Sequence, residues 1–231
     1  MSVAEPTTLG LIAPHGGSLV NLMVPAAEQQ AVKASASRML ECSDRQACDV
    51  ELLVVGGFSP LRGFMHQQDY EAVVQGNRTT SGLLFGLPIV FDSDDATIVV
   101  GDRLLLTYRG QELAVLNVES IWEPDKAKEA QGCYGTTSIE HPAVRMISGE
   151  RGRFYIGGQL QGLELPQRVF PCKTPAEVRA TLPEGESVVA FQCRNPIHRA
   201  HYELFTRALH ASNVSEAGVV LVHPTCGPTQ D

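Results

Sequence analysis

The chain has 231 residues, 43% of them hydrophobic, enough for one large domain or two small ones around a sizeable core. Eighteen basic against twenty-six acidic residues give a net charge of −8, which disfavours a broad nucleic-acid surface but leaves room for a local anion pocket. No stretch reaches the roughly 18 apolar residues of a membrane span, no signal peptide is evident, and the six cysteines show neither C-x-x-C spacing nor a disulfide pattern, which points to a reduced, cytoplasmic compartment.

In chain order, residues 1–25 are rich in Pro, Gly and Thr and are expected to wrap a domain surface. Ala26–Leu40 reads as a helix dominated by Ala, Gln, Lys and Arg. The apolar run Val50–Val54 leads into a glycine-punctuated turn, Gly56–Met65, whose Phe58, Leu61 and Phe64 are expected to plug a core or a domain junction. A short helix is expected over Gln67–Val74. Leu83–Phe91 reads as a strand closed by Asp92-Ser93-Asp94-Asp95. Arg103–Tyr108 and Glu112–Val118 read as strands joined at Arg109-Gly110, Pro124–Ala130 suits a short helix, and Arg153–Ile156 reads as a strand that stops at Gly157-Gly158. Apolar runs separated by short polar turns favour antiparallel pairing in a small barrel or sandwich.

The character changes near residue 170, which sets expected domains of 1–168 and 169–231. Thr174-Pro175-Ala176-Glu177 opens a helix, with Thr174 as N-cap and Glu177 at the third position. Ser187–Phe191 is a short apolar strand, Pro196–Ala211 a helix and Ala217–Val222 a second strand. This is a βαβ unit, the start of a parallel sheet.

The chemistry concentrates in Phe191-Gln192-Cys193-Arg194-Asn195-Pro196-Ile197-His198-Arg199-Ala200-His201. Asn195 is the expected N-cap and Pro196 the first helical residue. His198 and His201 then lie three apart on one helix face, and Ala200, Leu204, Ala208 and Ala211 form an opposing stripe that buries against a sheet. Imidazoles beside unpaired amides at a helix N-terminus suit phosphate oxygens. Gln192 and Arg194 close the preceding strand, where open α/β sheets place ligands. Read alone, a histidine pair at this spacing is also compatible with a half-buried surface pair or with half of a metal site, although no third ligand lies nearby. These residues by themselves indicate a phosphorylated nucleotide and nothing finer. His223, at the end of the second strand, is a candidate to line the same crevice. His15, His66, His141 and His210 receive no direct catalytic role.

The segment Phe191–His201 closely resembles the signature of the ATP-sulfurylase family. Further matches are Gly57-Phe58-Ser59-Pro60-Leu61 with Gly63-Phe64-Met65, Gly86-Leu87-Pro88-Ile89-Val90, Pro124-Asp125-Lys126, Gly135-Thr136, His141-Pro142-Ala143-Val144, and Leu221-Val222-His223-Pro224 with Gly227-Pro228-Thr229. The resemblance implies an α+β, two-domain chain: a β-rich PUA-like N-terminal barrel, then the beginning of a Rossmann-like α/β nucleotidyltransferase domain. It implies sulfate held by Gln192 and Arg194, and ATP phosphates held by Asn195, His198 and His201, with Gln192 and His223 also lining the nucleotide. Arg194, Asn195, His198 and His201 are the implied catalytic residues. Sulfate would attack the α-phosphorus of ATP directly, giving adenosine 5′-phosphosulfate and pyrophosphate. Mg2+ would travel on the ATP phosphates without a protein metal cage. The resemblance also implies a homo-oligomer at full length, with no nucleic-acid or membrane partner.

Two positions depart from the family pattern: Cys193 stands where many members have threonine, and Gln230 where many have lysine. The family's Gly-Arg-Asp-His-Ala-Gly segment is absent from these residues, so the 231-residue chain alone is expected to be inactive. The alternatives are another His-x-x-His nucleotidyltransferase acting on a carboxylate or phosphate, or a non-catalytic binding module.

Overall fold

The computed structural model describes residues 11–225, so Gly227, Pro228, Thr229 and Gln230 lie outside the described residues. The described residues divide into two compact units, His15–Gln167, and residues 168–225 together with residues 11–14.

In the first unit, Arg103–Tyr108 (β4) and Gln111–Asn117 (β5) form the expected antiparallel hairpin. Arg109 and Gly110 carry φ of 51° and 80°, the paired left-handed geometry of a two-residue hairpin turn. The Arg109 amide donates to the Glu41 carboxylate at 2.7 Å, which ties down its non-glycine left-handed backbone. Side chains of the hairpin alternate between two covered faces. Leu104, Leu106, Ala114 and Leu116 share a core with Val50, Leu53 and Val54, whereas Leu105 and Val115 pack with Val32 and Leu163. Helices therefore lie on both faces: Asp44–Val55 (α2) on one and Ala26–Ala34 (α1) on the other.

Several elements differ from the sequence reading. The helix begun at Ala26 stops at Ala34, and Arg38–Glu41 (β1) becomes a strand parallel to β4. Ser35 turns its hydroxyl back onto the Val32 carbonyl, and the Ser37 amide donates to the Arg103 carbonyl instead of continuing the helix. The run Val50–Val54 belongs to α2, which starts with a capping box in which Ser43 and Gln46 exchange hydrogen bonds. Leu83–Phe91 is mostly irregular, and the strand there is Phe91–Ser93 (β3). Pro88 has no N–H to give a ladder, and among residues 83–90 a single bridge, Arg78 to Leu84, is formed. Gln67–Gly76 (α3) and Lys126–Tyr134 (α4, capped by Asp125) are the helices expected, and Pro142–Gly149 (α5) is an additional one.

The strand expected to end at Ile156 instead runs from Phe154 to Gly162 (β7) and forms the spine of the sheet. Gly63–Phe64 (β2) and β3 pair along one edge, while β5 and Ser120–Trp122 (β6) pair along the other. Gly157 and Gly158 are crossing points and not a stop. A Cβ on Gly157 would lie 2.2 Å from the Met65 carbonyl oxygen, and one on Gly158 would lie 1.8 Å from that of Asn117. The strand path β1-β4-β5-β7-β2 stays open, so this seven-stranded sheet is not the closed barrel expected. Phe64 is buried in the main core with Phe58 and Leu61 packed against it, as the plug reading anticipated.

In the second unit, Pro175–Thr181 (α6) opens with the expected Thr174–Glu177 capping box. Its Arg179 donates to the Ile12 carbonyl at 2.9 Å, so the leader does not act as one wrap: residues 11–14 group with this unit and residues 15–25 with the other. Val188–Cys193 (β8), Arg199–Leu209 (α7) and Val219–Pro224 (β9) make the βαβ unit, with β8 and β9 parallel and in register from Val188–Val219 to Cys193–Pro224. Two parallel strands with one helix fit the expected beginning of a parallel α/β sheet, and no closed Rossmann-like sheet is seen among the described residues. No described residue from 168 to 225 is fully buried. Among the described residues, all the fully buried apolar side chains lie in the first unit.

Candidate functional site

The candidate site is the turn from β8 into α7. β8 ends at Cys193, and Arg194 and Asn195 form the exposed bend that follows. The helix begins three residues later than expected. His198, with φ −119° and ψ 175°, is the N-cap residue, and Asn195-Pro196-Ile197 remain outside the helix. Asn195 therefore does not cap α7. The His198 side chain makes no capping hydrogen bond, although its carbonyl accepts from the Tyr202 amide at 3.1 Å. The physical consequence is that the first-turn amides of α7 are left without a side-chain cap.

The two histidines meet nonetheless. Their rings stack, with centroids 3.7 Å apart and planes at 26°. His201 also leans on Phe191 of β8, at 5.3 Å between centroids, and Phe191 meets Phe205 edge-on at 5.6 Å. Nδ1 of His201 is closed to solvent and has no hydrogen-bond partner, so Nε2 is the nitrogen left for a ligand.

The face of α7 turned to the sheet is thus the one bearing His201 and Phe205. Of the stripe expected to bury, Leu204 is 58% exposed and Ala200 and Ala211 are exposed too, whereas Ala208, two turns beyond His201 on the same face, is half-buried. The error lay in setting histidine against the apolar face, because an imidazole's flat ring packs on phenylalanine as well as an aliphatic chain does.

Strand alternation sorts the remaining residues. Phe191 points toward α7, so Gln192 points to the opposite face of the two-stranded sheet. Gln192 and His223 are register partners on β8 and β9, so they share that face, and both are exposed. Gln192 and His223 are brought together on one side, and His198 and His201 on the other, with Arg194 and Asn195 between them at the carboxyl edge of the strands. The sequence reading gave no role to Phe191 or Phe205. Their signal was an aromatic residue immediately before Gln192 and another one helical turn beyond His201.

Among the described residues no cluster of three or more His, Cys, Asp or Glu could hold a metal ion, and no helix is long and apolar enough to cross a membrane.

Comparison with known proteins defines the two units. Residues 12–165 match the family described as PUA-like domain, so the first unit is a PUA-like domain without a closed barrel. Residues 171–231 match the family described as ATP-sulfurylase, and the described part of them, to residue 225, is a mixed α/β segment. That segment belongs to the ATP-sulfurylase family. The chain is 41% identical to a sulfate adenylyltransferase of Candida albicans, over 94% of this chain and 45% of the relative. It is 42% identical to one of Chaetomium globosum, over 94% of this chain and 40% of the relative. A solved structure titled hexameric APS kinase from Thiobacillus denitrificans superposes with a TM-score of 0.73 at 29% identity, covering 95% of this chain and 40% of that one. The chain therefore spans less than half the length of these relatives.

Proposed function

We propose that this chain carries the anion-binding turn of a sulfate adenylyltransferase, which joins ATP and sulfate into adenosine 5′-phosphosulfate and pyrophosphate. The observation that supports it best is the stacked His198–His201 pair at the uncapped N-terminus of α7, one bend beyond β8. Free first-turn amides and the positive end of the helix dipole favour phosphate oxygens there. In this reading residues 169–231 belong to a Rossmann-like nucleotidyltransferase domain, and the PUA-like unit accounts for residues 1–168.

Sulfate is a weak nucleophile, so the residues must act by alignment and charge stabilisation, not as a general base. Arg194 offers sulfate a rigid fork of donors and Gln192 completes its orientation. Asn195 donates to a phosphate oxygen. His198 and His201 face the charge that grows on the bridging oxygen as pyrophosphate leaves, with Gln192 and His223 bordering the nucleotide. Mg2+ arriving with ATP would neutralise its phosphates, which asks no metal cage of the chain. The reading places the protein in the cytoplasm, where ATP is supplied, as a homo-oligomer at full length.

Sulfate-dependent exchange of labelled pyrophosphate into ATP, measured on the full-length protein, tests the proposal. Exchange that requires sulfate is the expected result. Exchange supported instead by a carboxylate or phosphate acceptor would assign the site to a different His-x-x-His nucleotidyltransferase, and no nucleotide binding at all would leave a binding module.

A further inference from the structure

The ring contacts of α7 form a chain that runs from the site into the βαβ unit: His198 on His201, His201 on Phe191, and Phe191 on Phe205. His201 and Phe205 are one helical turn apart, so their side chains lie one above the other on the same face of α7. Phe191, from the strand, touches both. We infer that Phe191 is a positioning residue, whose ring fixes the orientation of His201 and, through the stack, of His198. This rests on the reading of the two histidines as phosphate ligands.

Three observations support the role. First, His201 has no hydrogen bond at Nδ1 to set its ring angle, so that nitrogen is not what orients the ring. In most ligand-binding histidines the second ring nitrogen is held by a carbonyl or carboxylate, and that bond fixes the ring. Here packing has to supply the constraint. Second, the contacts have directional geometry. Phe191 meets His201 tilted at 53° and Phe205 at 60°, arrangements in which the positive edge of one ring approaches the negative face of another. An aliphatic side chain could fill the same space but would not favour one ring angle over another. Third, Phe191 directly precedes Gln192 on the strand and points to the opposite face. One strand residue thus braces the histidines while its neighbour faces the sulfate side, so a small rotation of β8 would be felt by both.

The inference separates two quantities. Gln192 and Arg194 do not contact Phe191 through any of these rings, so affinity for sulfate should survive loss of the phenyl ring. Alignment of His198 and His201 with the leaving pyrophosphate should not survive, and a displacement of about 1 Å is enough to cost roughly 100-fold in rate.

The test uses full-length protein and the sulfate-dependent pyrophosphate exchange, with Phe191→Leu, Phe191→Tyr, Phe205→Leu and His201→Ala compared with the parent. Phe191→Leu is expected to lower kcat by about 10- to 100-fold while the KM for sulfate stays within about twofold. Phe191→Tyr, which keeps the ring, should recover most of kcat, and Phe205→Leu should give a smaller loss confined to kcat. If Phe191→Leu keeps kcat within about twofold of the parent, or if Phe191→Tyr is as impaired as Phe191→Leu, the positioning role is wrong. Should Phe191→Leu fail to fold, Phe205→Leu decides: an unchanged kcat there overturns the inference. A parent without sulfate-dependent exchange, or a fully active His201→Ala, overturns the underlying reading of the site instead.

Discussion

Glu129 and Arg151 meet at 2.9 Å, with the glutamate side chain 1% exposed and the arginine 9%. Tyr70 and Tyr155 donate to the other carboxylate oxygen at 3.0 and 2.9 Å, so both oxygens of the buried charge are hydrogen-bonded. Burial pushes both phenols well above their usual range, with the Glu129 carboxylate adding to it, and they remain protonated donors. Removing one partner of such a buried pair costs about 3–5 kcal/mol, because it strands the other charge. Glu129→Gln is therefore expected to lower the unfolding free energy of the PUA-like unit by about 3 kcal/mol, read from urea unfolding. The double variant Glu129→Gln/Arg151→Met should lose clearly less than the sum of the singles. Simple additivity would mean the pair is not coupled.

The crossing at Gly158 makes a sharper demand. Its missing Cβ would sit 1.8 Å from the Asn117 carbonyl oxygen, which is backbone and has little freedom to yield. Gly158→Ala must separate β7 from the end of β5. A loss of about 2–3 kcal/mol in urea unfolding is expected, in the range of overpacked core substitutions. A loss under about 0.5 kcal/mol, the usual spread for surface changes, would show that this crossing is loose.

Cys42 sets a pH dependence. Burial, aided by Glu41, pushes its thiol from an ordinary value of 9.0 up to about 12. Between those values the folded protein keeps the proton and the unfolded chain releases it. The stabilising contribution is therefore complete below pH 9 and is lost as pH rises toward 12, with a slope of at most about 1.4 kcal/mol per unit. Unfolding free energy should fall from pH 9 to 10, and Cys42→Ala should flatten that slope whatever it does to the absolute stability. Equal slopes in the two proteins would count against the thiol as the titrating group. The same burial should keep Cys42 slow to alkylate at pH 8 in the folded state.

What the sequence disclosed, and what it hid, follows from the range of the forces involved. The Arg109-Gly110 hairpin and the Thr174 capping box were legible because a turn and a cap are decided within four residues. The capping box at Ser43 and Gln46 was equally local and was overlooked in favour of the apolar run inside α2. The fate of Arg38–Glu41 was not local at all: only pairing with Leu104–Thr107, more than sixty residues on, turns it into strand. Gly157-Gly158 read as a stop because the crossing backbones at Met65 and Asn117 are invisible in one dimension. At the site, residue types and order were legible, but the N-cap was placed at Asn195 when His198 holds that position, and the packed face of α7 was assigned to Ala200 and Leu204 when it belongs to His201 and Phe205.

Arg194 lies in the exposed bend after β8, apart from the stacked histidines. In the proposed reading its guanidinium faces sulfate, so Arg194→Ala in the full-length protein is expected to reduce turnover by at least about 100-fold while ATP affinity changes by less than about threefold. A bidentate charged contact is the type of interaction whose loss costs several kcal/mol at the transition state. Binding of ATP, followed by calorimetry without sulfate, is the discriminating measurement. A fall in ATP affinity as deep as the fall in turnover would move Arg194 to the nucleotide.

The last prediction concerns the 231-residue chain on its own. The β8–β9 pair is covered by α7 on one side, and no described residue between 168 and 225 is fully buried. Ile197, Tyr202, Leu204 and Val222 are 43%, 56%, 58% and 40% exposed, so the turn that carries His198 and His201 is held by few packed neighbours. A parallel sheet is ordinarily stable with both faces covered, and among the described residues α7 packs on one face of this one. The PUA-like unit, with its own core on both faces of the β4–β5 hairpin, does not share this weakness. The two units should therefore differ in amide-hydrogen protection: β4, β5 and β7 slow to exchange, β8 and β9 fast. Looseness of about 1 Å at the histidines is enough to cost roughly 100-fold in rate. Sulfate-dependent pyrophosphate exchange by this chain is expected to be at least about 100-fold below that of the longer Candida albicans relative at matched concentration. A comparable rate, together with slow exchange in β8 and β9, would show that the βαβ unit is rigid enough for the chemistry as it stands.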